Sequence, residues 1–353
     1  MVSRRGWWLF AAMSVIWGIP YLLIKVADGG VAPPVLVLAR VTIGAALLLP
    51  IAIRRRELAP LLSRWRWVAL FALVEIIAPW LLLSEAETRL SSSLSGLLIA
   101  SVPILVAVIG RATGGQDRLT AARWAGLLVG LAGVGLLVAG GGTHGQAGQV
   151  VEVLLVAVCY AIGPLIVARK LSDLPSLGVT AASLGLAAVV CAPIAAVTWP
   201  SAVPAAKVLA ALATLAVVCT ALAFLAFFAL IAEAGPARAT VITYVNPAVA
   251  VALGVAVLGE RLTVTMGVAF AAILGGSVLA TRTSRKAAPA GSTDSDSDGS
   301  DRAARNQGAE DAATDDAAAL NTAAGDRAAG AGQVTAGGLS EGAARATRLD
   351  SRG

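Results

Sequence analysis

Histidine occurs once in the 353 residues, at His144, and cysteine three times, at Cys159, Cys191 and Cys219. Each cysteine lies inside an apolar run and no CxxC pair exists, so neither a zinc knuckle nor a disulfide framework is encoded. The three read as small apolar fillers. The motifs HExxH and GxxxxGK[ST] are both missing, which removes the zinc-hydrolase and P-loop ATPase classes. Charge is scarce as well: 14% of residues are charged, against about 25% in soluble domains. What fills the chain instead is apolar, at 58% hydrophobic residues and a mean hydropathy of +0.81. That composition describes an integral membrane protein. The net charge of +6 therefore carries no nucleic-acid signal, and its information lies in where Lys and Arg fall relative to the apolar runs.

A spanning helix needs roughly 20 apolar residues. Reading between polar and Pro/Gly breaks gives ten candidates: 7–26, 34–53, 67–84, 90–110, 119–139, 150–168, 176–197, 208–232, 236–258 and 264–281. The first, in "MVSRRGWWLFAAMSVIWGIPYLLIK", is longer than a signal-peptide core and has no small-residue cleavage site. With the N-terminus cytoplasmic, sixteen Lys and Arg fall on the inner side and four (Lys25, Arg89, Lys207, Arg261) on the outer. This bias sets the orientation, and an even number of spans brings the C-terminus inside too. Residues 282–353 are rich in Ala, Gly, Ser and Asp and nearly free of aromatics. They cannot bury enough apolar surface to offset ordering entropy, so a disordered cytoplasmic tail is expected.

The chain also echoes itself. "WGIPYLLIK" and "AIGPLIVAR" set Pro20 and Pro164 144 positions apart, and Lys25 and Arg169 keep that offset. "SVPILVAVIGRATGGQDRLT" and "TYVNPAVAVALGVAVLGERLT" set Pro103 and Pro247 at 144 again, and Gly133 and Gly276 follow at 143. Several pairs at one offset imply two five-span halves, 1–140 and 150–281. Because five is odd, the second half enters the bilayer upside down, an inverted repeat typical of secondary transporters. A proline inside a spanning helix frees a carbonyl that protein, water or ligand must satisfy. The four matched prolines thus mark either helices bent round a central cavity or mild kinks in packed helices.

These stretches, with "LARVTIGAALLL" in the second span and "GLLVGLAGVGLLV" in the fifth, resemble the EamA-type branch of the drug/metabolite transporter superfamily. The likeness covers about residues 7–281. It implies an all-α membrane protein of ten transmembrane helices, arranged as two inverted five-helix repeats. It further implies carriage of small metabolites, with the fifth and tenth helices forming a scaffold or homodimer contact. The first repeat reads "GGQDRLT", placing Asp117 where the family often has glutamate, and Glu75 and Pro79 are not general family features.

Within the spans a few residues carry chemistry. Glu75 sits about eight residues into the third span, near mid-bilayer, where an ionisable side chain costs about 2.5–3.5 kcal/mol and must face a cavity or partner. Arg40 enters the antiparallel second span from the outer side and is expected within reach of it. Two readings stand: a structural ion pair or snorkelling arginine, or a Glu75 that takes up a coupling proton or cationic substrate while Arg40 tunes it or holds a carboxylate. Trp17, Tyr21, Trp80, Tyr160 and Tyr244 offer aromatic faces for cation–π contact or for packing. Trp7, Trp8, Trp65, Trp67, Trp124 and Trp199, near span ends, read as interfacial anchors. Asn246, whose counterpart is the apolar Val102, either cross-bonds another helix or binds substrate. Ser91, Ser92, Ser93 and Ser95 open the fourth span as caps, at a helix start that also attracts anions. Gly126 and Gly130 form a GxxxG pair for close packing, internal or between subunits.

The expected function is a secondary active exporter of small metabolites such as amino acids or amphipathic amines. It would work by alternating access, driven by a proton or substrate gradient, in the cytoplasmic membrane. Its partners are then a small-molecule substrate and the lipid bilayer, with no cofactor, metal or nucleic acid. A passive channel would need a continuous polar pore, which these spans scarcely offer. An intramembrane enzyme would need a paired nucleophile and base, or metal ligands.

Overall fold

The computed structural model describes residues 3–112, 121–140, 145–235, 239 and 242–281. The expected tail 282–353, His144, Asp117 and the basic residues Arg118 and Arg238 lie outside the described residues. Among the described residues there is no strand, and ten apolar helical segments follow one another. They are α1 (Arg4–Asp28), α2 (Pro33–Arg54), α3 (Ala59–Glu87), α4 (Ser92–Gly110), α5 (Ala121–Ala139), α6 (Ala147–Leu171), α7 (Ser176–Val197), α8 (Ala206–Ala234), α9 (Ile242–Leu258) and α10 (Val264–Ala280). Eight are long and apolar enough to cross a bilayer; α9 and α10 are shorter. The 17 described residues of α9 rise about 26 Å, just under a hydrocarbon core of ~30 Å.

The largest helix pairings all run between the first five segments and the last five. α5 lies along α10, α2 along α7, α4 along α9, α3 along α6 and α1 along α8. Exchanging the halves maps this set onto itself. The α5–α10 contact is backbone on backbone: a Cβ on Gly276 would lie 2.6 Å from Gly126 O, and one on Gly126 would meet Gly276 O at 2.7 Å. The small-residue stripe of α5 is therefore consumed inside the chain, and this face is not free for a subunit contact. The outward surface is greasy, and Trp7, Trp8, Trp65, Trp67, Trp124 and Trp199 are all exposed, as side chains bathed by lipid and headgroups are.

Where helices break, side chains from the other half meet the freed backbone. α1 is interrupted at Trp17–Ile19, and Pro20 starts its second piece. Gly18 N donates to Val15 O rather than to Ser14 O, so the Ser14 carbonyl is left over. With its amide nitrogen turned toward acceptors, Asn246 of α9 donates to Ser14 O at 3.1 Å and to Ile242 O at 3.0 Å. Gly18 allows the approach, since a Cβ there would strike Val249. α4 breaks at Ala100–Ser101, ahead of Pro103. There Ser277 of α10 donates to Ala100 O at 3.4 Å. Both breaks obey the rule that a lipid-embedded backbone must be satisfied internally.

The other two matched prolines behave differently. Pro164 and Pro247 lie inside continuous helix, and Pro164 is exposed rather than turned toward a central cavity. Proline at the first turn of a restarted helix loses nothing, because that N–H has no partner anyway. Beyond Pro164, α6 widens into a π-helical stretch, Val167–Leu171. The sequence offset is thus kept while the local backbone is not.

Candidate functional site

Among the described residues Arg40 is the most deeply placed cation, 7% exposed in the interior of α2. Its Nε donates to Thr220 Oγ1 at 2.9 Å, and its guanidinium carbon sits 3.6 Å over the Trp80 ring of α3. Thr220 in turn donates to Leu215 O at 2.9 Å. A residue of the first half is thereby pinned to one of the second. Tyr21 of α1 is buried beside them, and Tyr160 of α6 lies close to Trp80, Arg40 and Glu75. Among the described residues no carboxylate makes an ion pair with Arg40. A guanidinium so placed is stacked and half-anchored but not neutralised, and burying it in that state is costly.

Thr220 belongs to a π-helical stretch, Val217–Leu222, in the middle of α8. Its counterpart in α3 is Ala72–Ile77, which carries Glu75. The two stretches start 145 positions apart, one residue from the repeat offset of 144. π-turns inside α-helices gather at functional sites, and neither was legible in the sequence. A π-turn inserts one residue and rotates the helix beyond it by about 100°.

That rotation explains a departure from expectation. Arg40 and Glu75 do not pair; Arg40 is taken by Thr220 and Trp80. Glu75 instead turns toward α6, where Gly163 lacks the Cβ that would collide with its carboxylate. Its Oε2 is buried with no hydrogen-bond partner. The reading as a structural ion pair is thus excluded by geometry, while a proton-accepting Glu75 remains compatible with it.

Of the other sequence candidates, Trp17 sits at the α1 break. Its ring packs against Phe227 at 4.7 Å and edgewise on Phe224 at 6.1 Å, with Phe228 stacked beyond. It belongs to a packing cluster with α8. Tyr244 is half-buried near the start of α9. Asn246 takes the structural alternative, as the donor to Ser14 O described above. Among the described residues no group of His, Cys, Asp and Glu gathers to hold a metal ion.

At one end of the bundle the sequence reading missed two residues. After α9, Gly259 takes a left-handed conformation (φ 66°), available to glycine without strain. The chain folds back so that Glu260 N donates to Gly254 O at 3.1 Å. The Glu260 carboxylate then accepts from Ser92 N (2.7 Å), Ser92 Oγ (3.0 Å) and Ser93 N (2.9 Å). It supplies the anion that a helix N-terminus attracts, while Ser91 Oγ caps Leu94 N. Of the four serines expected as caps, Ser91 caps the helix and Ser92 bonds Glu260, while the Ser93 and Ser95 hydroxyls are buried without a hydrogen-bond partner. Beside it Lys25 Nζ donates to the main-chain oxygens of Glu87 and Leu90. Glu87 itself is fully buried. Glu260 was visible in the repeat "GERLT", and only its counterpart's polarity hinted at a role. At the opposite end Arg64 forks onto Asp173 at 3.1 and 3.0 Å and donates to Lys170 O. This ties α3 to the α6–α7 turn.

A family model described as the EamA-like transporter family matches twice, over residues 4–139 and 149–282. The uncharacterized inner membrane transporter YedA of Escherichia coli strain K12 is 28% identical over 275 residues, covering 76% of this chain and 88% of YedA. Proteins of that name from E. coli O6:H1 and O157:H7 match equally. A solved crystal structure at 22% identity aligns with a TM-score of 0.57, covering 79% of this chain and 98% of its own.

Proposed function

This chain belongs to the EamA-like transporter family, and on that premise we propose that it is a secondary carrier of small metabolites, working by alternating access between two five-helix repeats. It is a multi-pass membrane protein. The finer reading is ten spans in two inverted repeats, 1–140 and 150–281, in the cytoplasmic membrane with both termini inside. The exchange symmetry of the helix pairings and the sixteen-to-four distribution of basic residues support it.

One observation carries the assignment of the site: a buried arginine, stacked on Trp80 and anchored by Thr220 across the repeat boundary, with no carboxylate among the described residues paired to it. Such a guanidinium suits an anionic group on the cargo, best a carboxylate, which it grips in a planar two-point contact. Tyr21, Trp80 and Tyr160 supply the aromatic wall. Glu75, one helix turn and a half away on α3, suits the amino group of an amino acid or a coupling proton. Amino acids and amphipathic amines are the cargo classes of choice, exported against a proton gradient.

The test is counterflow in proteoliposomes with an amino-acid and metabolite panel. A carrier gives saturable uptake accelerated by trans substrate, and Glu75→Gln removes its pH dependence. Non-saturating flux without trans-acceleration identifies a passive channel and overturns the proposal.

A further inference from the structure

Glu87 closes α3 at the Lys25 end of the bundle. Its side chain is 0% exposed, and neither carboxylate oxygen has a hydrogen-bond partner. The cation facing it, Lys25, already donates from Nζ to the main-chain carbonyls of Glu87 and Leu90. Among the described residues Lys25 makes no ion pair. The other charged or titratable groups facing Glu87 are Tyr21 and Asp28 of α1 and Glu260 after α9, all of them acids. Glu260 is committed to the start of α4. Glu85, Arg89 and Glu152 form a separate group at the neighbouring α3–α6 contact. An ionised Glu87 would therefore be a buried anion without a hydrogen bond, opposed by two like charges and favoured by Lys25 alone. A carboxyl in that position is tolerated by carrying a proton.

We propose that Glu87 is a proton-binding site built into the junction of α1, α3, α4 and α9, and that loss of its proton unfastens this end of the bundle. The step is a simple dissociation: the carboxyl O–H breaks, the proton leaves to solvent through the shallow depression lined by Lys25, Arg89, Leu90, Ser91, Leu258 and Glu260, and the carboxylate remains. That new charge draws Lys25 Nζ off the Leu90 carbonyl and into an ion pair with Glu87. α1 stays fastened to α3, while the start of α4 loses this hold. Repulsion from Glu260 simultaneously weakens the cap on α4. The consequence for transport, a proton-operated gate, rests on the carrier reading. The proton site itself does not.

Hydrogen exchange of the amides from Arg89 to Leu94, in full-length protein in lipid nanodiscs, tests this from acid to alkaline pH. After correction for intrinsic exchange, the wild-type amides open about tenfold or more as pH rises. Glu87→Gln holds them closed throughout, and Glu87→Asp keeps the rise. A flat corrected profile in the wild type, or a Glu87→Gln profile that follows the wild type, overturns the proposal. Lys25→Gln covers the case in which Glu87→Gln does not fold: the amides then open at every pH, and a wild-type-like profile counts against the mechanism. Failure of counterflow alone touches the carrier reading and leaves the exchange result standing.

Discussion

Gly276 and Gly275 are neighbours on α10 with opposite surroundings. A methyl on Gly276 would sit 2.6 Å from Gly126 O and Gly130 Cα, roughly 1 Å inside ordinary carbon contact at ~3.5 Å. All the atoms in the way are backbone, so no rotamer change relieves it, and α5 and α10 must separate along their length. A methyl on Gly275 meets nothing within 4 Å. Gly276→Ala is expected to cost about 1–3 kcal/mol, the range for overpacking a filled interface. Packing drives helix association in lipid, where no hydrophobic term adds to it. Gly275→Ala is expected to be neutral or to stabilise by up to about 1 kcal/mol from helix propensity. Reversible unfolding in mixed micelles, followed by helix content, measures both. Neither change should alter substrate affinity, because α5 and α10 lie away from Arg40. Equal shifts for the two variants, or an unperturbed Gly276→Ala protein, would refute the close-packed α5–α10 pair.

The remaining expectations concern single polar groups. Arg40→Lys removes the Nε that bonds Thr220 and the planar stack on Trp80, and should weaken cargo binding about tenfold or more at equal folded protein, as read by counterflow half-saturation. Glu260→Ala leaves two amide donors at the α4 start unpartnered, at about 2 kcal/mol. Exchange at Ser92 and Ser93 should rise roughly 30-fold while distant amides are unchanged. Asn246→Leu strips the Ser14 carbonyl of its donor and should lower unfolding stability by about 1 kcal/mol, the usual worth of an interhelical bond in lipid.

Helix positions, the two repeats and the burial of Arg40 were legible because each rests on a strong, local signal. Apolar length marks the segments, and a constant offset marks the repeat. A lone arginine in a greasy run marks Arg40. What escaped depends on backbone phase. The expected reach between Arg40 and Glu75 rests on depth in two antiparallel spans, which says nothing of helix phase, and the π-turns at Ala72–Ile77 and Val217–Leu222 re-aim both α3 and α8. Thr220 was invisible for the same reason. Pro164 and Pro247 match Pro20 and Pro103 in sequence, yet only the latter two restart a helix, because a break needs a neighbour able to receive the freed carbonyl. Asn246 and Ser277 provide that at Ser14 and Ala100. Glu87 reads as one acid among several in "SEAETRL" until its neighbours are known.

During synthesis the first five helices emerge well before the last five, and their principal neighbours are all in the later group. Each major pairing therefore closes a loop of about sixty residues or more, and the early segments wait in the membrane with their best faces covered by lipid alone. Folding of this molecule is closer to the docking of two incomplete partners than to the growth of one bundle. Cutting the chain between α5 and α6 and producing the two pieces together should then restore a working molecule, whereas either piece made by itself should be cleared by proteolysis.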